Sequence, residues 1–377
     1  MGFDLTTNKL WESHRANFSV TRNLVYLNHA AVSPVCKAAA DAMRWLANDA
    51  EEWGSLHYDK WLACYDGLRA ETARMLNATP GEIAIVKNTS EGIATIALGI
   101  DWKAGDRVVC FEGEFPANQY PWQRLAARGV SITWLKVDAP LDEIDKAAQG
   151  ARLLAISFVQ FLSGYRAPLE AIGEICRRRG VFFFVDAIQG LGVFPLDVQK
   201  CNIDAAAADG HKWLTGPEGC GVLFIRKDRQ DEIDPVEFGW TNAASHVDYA
   251  SRDMTLRKDA GRFEPGTLNT IGCFGLRAAF AYLNGTGVPA IGAAVQALGD
   301  QVAEGGRAKG YELMCERTSE TGAGIVSMRK DGLDCRVIHS DLRAKGFITA
   351  PRAGWLRVSP HFYVSPSDIE AFLTLLP

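Results

Sequence analysis

The stretch VFFFVDAIQGLGVFPLDVQKCNIDAAAADGHKWLTGPEGCG, residues 181–221, contains two apolar runs that each stop at charged groups. Val181 to Val185 ends in Asp186, and the alanine run 205–208 ends in Asp209 and reaches Lys212 through Gly210 and His211. Short apolar runs bounded by glycine and polar residues read as strands buried on both faces of a mostly parallel sheet. A lysine where such a strand runs out needs a reason, because lysine normally carries its ammonium to water. In open α/β sheets ligands sit outside the carboxyl ends of the strands, where Asp186, Asp209 and Lys212 fall. An amine and an acid at two such ends suit one shared site. The chemistry that uses this pair is that of pyridoxal 5'-phosphate (PLP), where lysine binds the aldehyde and aspartate keeps the pyridine nitrogen protonated as an electron sink.

Around this stretch, from about residue 80 to 230, β-rich runs alternate with helical patterns. Strands are expected at 83–86, 107–111, 131–137, 153–159, 181–186, 205–209 and 221–227, and helices near 91–99, 116–128, 168–179 and 188–191. The alternation predicts an α/β fold, a mostly parallel seven-stranded sheet with helices on both faces. From about residue 275 a long helical pattern leads into a strand-helix-strand-helix sequence, a smaller α+β C-terminal domain. With 377 residues the chain exceeds the roughly 250–300 at which single cores stop growing. Two domains are therefore expected, 1–274 including the N-terminal segment and 275–377.

Apolar residues make up 47% and charged residues 23%, and the formal charge of -5 leaves no electrostatic footprint for nucleic acid. The basic run Arg177-Arg178-Arg179 closes a helical pattern, where it complements the C-terminal dipole. Nine cysteines without a CxxC or a His/Cys cluster read as reduced thiols, with no metal site. The N-terminus lacks an apolar signal core, and no run reaches the roughly 18 apolar residues of a membrane helix, so a cytoplasmic location is expected. Met1 to Thr6 fits the short myristoylation pattern, a match ascribed to chance.

Residues 87–92, KNTSEG, form a turn before a helix. Free amides at a helix N-terminus, with the hydroxyls of Thr89 and Ser90, suit a phosphate; an ordinary N-cap has the same composition. Phe115 lies just past a strand end, placed to stack on a flat cofactor or to pack in the core. Gln189, three residues after Asp186, offers a second polar group there. His211 reads as a phosphate donor or as a solvated loop residue.

The segments YLNHAAVSP (26–34), NTSEG (88–92), EFPANQYPW (114–122), VDAIQG (185–190), DGHKWLTGPEGCG (209–221), RFEPGTLN (262–269) and LRVSPHFY (356–363) span nearly the whole chain. In residues and order they resemble the class V aminotransferase superfamily of fold-type I PLP enzymes. The similarity is to the branch that holds cysteine desulfurases, selenocysteine lyases, carbon-sulfur lyases and isopenicillin N epimerase. This resemblance implies Lys212 as Schiff-base lysine and proton shuttle, Asp186 as partner of the pyridine nitrogen, and Gln189 as donor toward the phenolic oxygen. It implies Phe115 stacked on the ring where many relatives place histidine, and Thr89, Ser90 and His211 on the phosphate. Asp209 stands where desulfurases often have a phosphate-binding serine, and a carboxylate there repels the dianion. Gly266 and Thr267 would reach the phosphate of a partner subunit, implying a homodimer. Arg357 would clamp the substrate α-carboxylate, a task for a planar bidentate guanidinium. Asn28 and His29 would border the substrate pocket.

Two departures from the family's pattern bear on the reaction. Desulfurases carry a nucleophilic cysteine shortly before the carboxylate-binding arginine, and GFITAPRAGWLR (346–357) has none; Cys335 is the nearest upstream. In FVQFLSGYR (158–166) relatives often place an asparagine near Phe161, where Gln160 stands instead. Arg166 and Arg352 are extra cations, suited to a second acidic group on the substrate or to structural roles. The expected activity is a PLP-dependent reaction of a small amino acid through its external aldimine, with carbon-sulfur β-elimination ranked first. The alternatives are transamination or epimerisation, desulfuration through a non-standard cysteine, and a non-catalytic PLP-fold binding protein.

Overall fold

The structure, a computed structural model, describes residues 9–377, so the Met1–Thr6 pattern lies outside the described residues. The described chain opens with α1 (Leu10–His14), β1 (Val25–Tyr26) and two long helices, α2 (Lys37–Trp53) and α3 (Tyr58–Leu76). Next come β2 (Ile83–Val86), α4 (Thr89–Gly99), β3 (Arg107–Phe111), α5 (Tyr120–Arg124), β4 (Ser131–Leu135) and α6 (Leu141–Ala148). The sheet is completed by β5 (Leu153–Ser157), α7 (Leu169–Arg179), β6 (Phe182–Asp186), β7 (Ala205–Asp209) and β8 (Gly221–Ile225). The last third holds α8 (Thr270–Thr286), α9 (Val288–Ala308), β9 (Glu312–Leu313), β10 (Val326–Arg329) and α10 (Cys335–Ala344). It ends with β11 (Phe347–Ile348), β12 (Ala350–Arg352), β13 (Trp355–Val358) and α11 (Pro366–Leu375).

All seven expected strands form one sheet, in the order β2-β8-β7-β6-β5-β3-β4. β3 to β7 pair in parallel, and β8 runs antiparallel to both its neighbours, β2 and β7. Every residue of β5, β6, β7 and β8 is buried, as continuous apolar runs covered on both faces by helices require. A second, antiparallel sheet, β12-β13-β10-β9, forms near the C-terminus.

The helices depart from expectation in places that have local causes. α4 begins at Thr89 rather than near Glu91, because Asn88 caps it, its Oδ1 accepting the Glu91 N–H at 2.9 Å. Residues 116–128, expected as one helix, are a 3-10 turn, the short α5 and a second 3-10 turn, with Pro116 and Pro121 interrupting the ladder. Residues 188–191 are turns, not a helix, closed by the Gly190 N–H on the Ala187 carbonyl. Residue 274, the expected domain limit, falls inside α8, which packs against α2 and α3. The N-terminal segment is joined to the C-terminal part: β1 pairs in parallel with β11, and Asn28 bridges to Ser359.

Candidate active site

A cavity of about 390 Å³ opens at the carboxyl ends of β6 and β7. Asp186, Gln189, Asp209, His211, Lys212, Thr89, Ser90, Phe115 and Arg357 all line it, together with Arg352, Phe161 and the Ala30–Val32 segment. Lys212 is placed by the turn after β7. Gly210 N–H bonds to the Cys220 carbonyl at 3.0 Å, and Thr215 N–H closes on the Lys212 carbonyl at 3.0 Å. A Cβ at Gly210 would lie 2.8 Å from Leu276 Cδ1 and 2.9 Å from the Cys220 carbonyl, so only glycine lets the chain pass here. Thr215 holds φ at +54°, unusual for a β-branched residue and costing about 1–3 kcal/mol, strain that a well-packed site absorbs.

The Lys212 side chain is 8% exposed and its ammonium makes no hydrogen bond or ion pair among the described residues; Nζ lies 5.4 Å from the centre of the Phe115 ring. Burial lowers its pKa from the ordinary 10.5 to about 8; nearby Asp186 opposes the shift and Arg357 adds to it. Asp186 moves the other way. Burial raises its carboxyl to about 6, against the Ile188 N–H on Oδ1 at 3.1 Å and the charge of Lys212. A buried carboxylate whose ionised form lacks full solvation is suited to a cationic ring N–H.

Gln189 is fixed from behind. Its Oε1 accepts the Trp213 indole N–H at 2.8 Å and its Nε2 donates to the Ala30 carbonyl at 3.0 Å. One amide N–H is left over, because an amide nitrogen carries two. Trp213 is braced in turn by His361, whose Nε2 donates to the Trp213 carbonyl at 3.0 Å while Nδ1 accepts the Phe362 N–H at 2.9 Å. Burial lowers His361 to about 4, so it is neutral at pH 7.

The phosphate candidates gather at the first turn of α4. A Cβ on Gly92 would sit 2.7 Å from Ala207 Cβ, so this glycine allows α4 to lie close on β7. Thr89 Oγ1 accepts the Asp209 N–H at 2.9 Å, which leaves its own hydroxyl proton to give. Asp209 does not point at this turn as a bare anion: Oδ1 accepts the Gly210 N–H at 2.7 Å, and Oδ2 lies 3.0 Å from His211 Nδ1. Asp209 is thus turned toward His211, which lines the cavity. The pairing has ion-pair distance without hydrogen-bond alignment, and Nδ1 is buried and unsatisfied.

Arg357 is 2% exposed, and its Nη1 donates to the Phe161 carbonyl at 2.8 Å while Nε is buried without a partner. No carboxylate pairs with it among the described residues. Burial, with Arg352 nearby, lowers its pKa from 12.5 to about 10. A buried guanidinium with an orphaned donor, facing a cavity, is suited to an anionic ligand.

Other sequence candidates lie elsewhere. His29 is fully buried: Nδ1 donates to the Ser359 carbonyl at 2.8 Å, and Nε2 therefore accepts the Tyr363 hydroxyl at 2.6 Å. Burial holds it well below its ordinary pKa, so both nitrogens are committed and neither reaches substrate. Asn28 does not line the cavity, whereas Ala30 to Val32 do. Gly266 and Thr267 line two other cavities, of about 300 and 250 Å³, apart from the Lys212 cavity of their own chain. Gln160 is used up by backbone, with Nε2 on the Gly113 carbonyl and Oε1 accepting the Leu162 and Ser163 N–H groups. Arg166 lies over the Phe194 ring and donates to the Ser319 and Glu320 carbonyls, a structural role. Cys335 opens α10 and is buried, lining a neighbouring cavity that it shares with Arg352.

Glu114, which begins the EFPANQYPW segment, is a further buried acid next to the site. It accepts the Ser157 N–H at 2.7 Å and the Ser157 hydroxyl, tying the chain after β3 to the end of β5 beside Asp186. Burial, with a smaller effect of Asp186, raises it to about 7. An acid followed by an aromatic just past a buried strand was the available signal.

A family model for class-V aminotransferases matches residues 25–372. The chain belongs to this family. A probable cysteine desulfurase of Pyrococcus abyssi is 30% identical over 389 residues, covering 97% of this chain and 96% of the relative. An apo cysteine desulfurase from Thermococcus onnurineus NA1 has a TM-score of 0.89 at 28% identity, covering 97% and 96% of the two chains. The enzyme C-DES has a TM-score of 0.88 at 25% identity, covering 96% of this chain and 98% of its own; that structure is a lysine variant with glycine covalently linked to PLP. In a further structure C-DES is described as a cystine C-S lyase in complex with its product, cysteine persulfide. The protein is a PLP-dependent enzyme of the class V aminotransferase family. The residues present fit that cofactor: an unpaired buried amine, a buried acid, a helix N-terminus with hydroxyls, and one uncommitted amide N–H of Gln189.

Proposed function

We propose that the protein is a carbon-sulfur lyase that acts on a small β-thio-substituted amino acid and works as a homodimer. The observation that carries the reading is the Lys212 cavity: the buried Lys212 amine and the Arg357 guanidinium line it, and among the described residues no cysteine does. With no thiol lining the cavity to take up sulfur, the substituent leaves as a free thiol. In balance, R–S–CH2–CH(NH3+)–COO− and water give pyruvate, ammonium and R–SH. Similarity to C-DES supports this choice.

When bound, PLP supplies the electron sink that acidifies the α-proton. Arg357 orients the substrate by its α-carboxylate with two parallel N–H donors. Lys212, titrating low because it is buried, takes the α-proton at physiological pH. Asp186 would keep a proton on the ring nitrogen of the bound cofactor, Gln189, locked by Trp213, would have its remaining N–H to give to the ring oxygen, and Phe115 would lie against the ring.

A second copy of the chain is supported by two features. Gly266 and Thr267 face cavities away from their own Lys212. Trp240 and Tyr249, large aromatic side chains left exposed, pack edge to face with ring centres 5.8 Å apart, and Trp240 lines one of those cavities with Gly266 and Thr267. Turnover of cystine and of cysteine, with pyruvate, alanine and protein-bound sulfur each measured, tests the reaction. Pyruvate and ammonium in equal amounts are expected; alanine with persulfide on Cys335 establishes the desulfurase reading instead and overturns this one.

A further inference from the structure

Resting on the lyase reading above, we infer that Arg352 is a substrate-specificity residue that binds an anionic group at the far end of the leaving substituent. The preferred substrates are then β-thio amino acids with a carboxylate or sulfonate beyond the sulfur, rather than cysteine itself.

The β12–β13 hairpin sets the geometry. Its register pairs Ala350 with Arg357 and Arg352 with Trp355. Arg352 and Arg357 are therefore diagonal neighbours on one face, since side chains alternate along each strand. The connection is a two-residue turn, Ala353 at φ +48° and Gly354 at φ +83°, and positive φ at both positions is the tight hairpin turn that fixes register. Both arginines line the Lys212 cavity.

Two like charges close together on one sheet face are unfavourable, and no acid pairs with either arginine among the described residues; Arg352 is exposed, so water meets its charge where a ligand does not. Arg69, Arg226, Arg229, Arg262 and Arg317 each meet a carboxylate within 3.1 Å. Neither Arg352 nor Arg357 has an ion pair among the described residues, and the one hydrogen bond of the Arg352 side chain goes to the adjacent Pro351 carbonyl at 3.2 Å. Its charge is felt inside the cavity, where it lowers the pKa of both Lys212 and Arg357.

The charges around the cavity leave Arg352 over. Asp186 would face the ring nitrogen of the bound cofactor, and Thr89, Ser90 and His211 would hold its phosphate. Arg357 takes the α-carboxylate. A neutral substituent such as the thiol of cysteine leaves Arg352 to water, whereas a distal anion would pair with it and offset the repulsion along the hairpin.

The test compares S-carboxymethylcysteine with S-carbamoylmethylcysteine, which have nearly the same shape and differ in charge. The quantity is the ratio of kcat/KM for the two in wild type divided by the same ratio in Arg352→Gln, so intrinsic leaving-group differences cancel. An at least tenfold fall in preference for the charged compound is expected in R352Q, with part of it kept in Arg352→Lys. Cofactor absorption and melting temperature of each variant verify folding. An unchanged ratio overturns the inference. If neither compound releases pyruvate, the lyase reading fails by itself, and the same ratio of dissociation constants, read from the change in cofactor absorption on binding, still decides the role of Arg352. Absence of binding by the charged compound to wild type also overturns it.

Discussion

Lys212 offers a direct way to test whether burial has tuned the site. Its pKa of about 8 comes mainly from desolvation, with Asp186 raising and Arg357 lowering it. At pH 7 such an amine is about 9% neutral, against about 0.03% for an ordinary lysine, roughly 300-fold more nucleophile. Only the neutral amine attacks the aldehyde, so the rate at which apo-protein captures PLP should rise about tenfold per pH unit below 8 and level off above it. Stopped-flow absorbance between pH 6 and 10 measures this. The two neighbouring charges make the test directional. Asp186→Asn removes an opposing anion and should move the inflection to lower pH; Arg357→Met removes a cation and should move it higher. Ionisations of the free cofactor are common to all three proteins and drop out of the comparison. A rate that keeps climbing to pH 10, or an inflection that moves the same way in both variants, would refute the assigned environment.

Glu114 and Trp213 give two further tests. The Glu114 carboxyl titrates near 7 in the fold against 4.5 when exposed. Between those values the folded state binds the extra proton, so its contribution falls as pH rises and costs about 3 kcal/mol above pH 7. Glu114→Gln should therefore gain stability relative to wild type by about 3 kcal/mol between pH 4.5 and 8 in urea unfolding, and a pH-independent difference contradicts the account. Trp213→Phe removes the N–H on Gln189 Oε1 and should cost about 1–3 kcal/mol for the unpaired buried oxygen. It should also shift the cofactor absorption band as the amide loses its fixed orientation. In a Gln189→Leu background the stability cost should largely vanish; full additivity would mean that the two side chains do not act together.

Seven strands were legible because each is a short, continuous apolar run, and such runs report burial on both faces without knowledge of the neighbours. Lys212 and Asp186 were legible for the same reason: a charge that interrupts a buried run must sit at its end, and the ends of parallel strands share an edge. The helices were less so. α6 carries only Ile144 and Ala148 into the core, too few apolar positions to stand out, and Gly190 bends a stretch whose composition resembles a helix. His29 illustrates a limit of motif reading, since the motif locates the segment while packing against Ser359 and Tyr363 decides that His29 turns inward and Ala30 to Val32 face the cavity.

By itself, the sequence determined the sheet and the class of cofactor, and it located Asp186 and Lys212 at or just past the ends of two buried strands. Tertiary structure alone decided which distant groups complete the site. Pairing in the β12–β13 hairpin puts Arg352 beside Arg357, backbone carbonyls consume Gln160 and Arg166, and Asp209 is turned toward His211. The physical reason is that a polar side chain's role depends on whether its donors and charge are already satisfied, and that is settled by which groups the fold brings within reach.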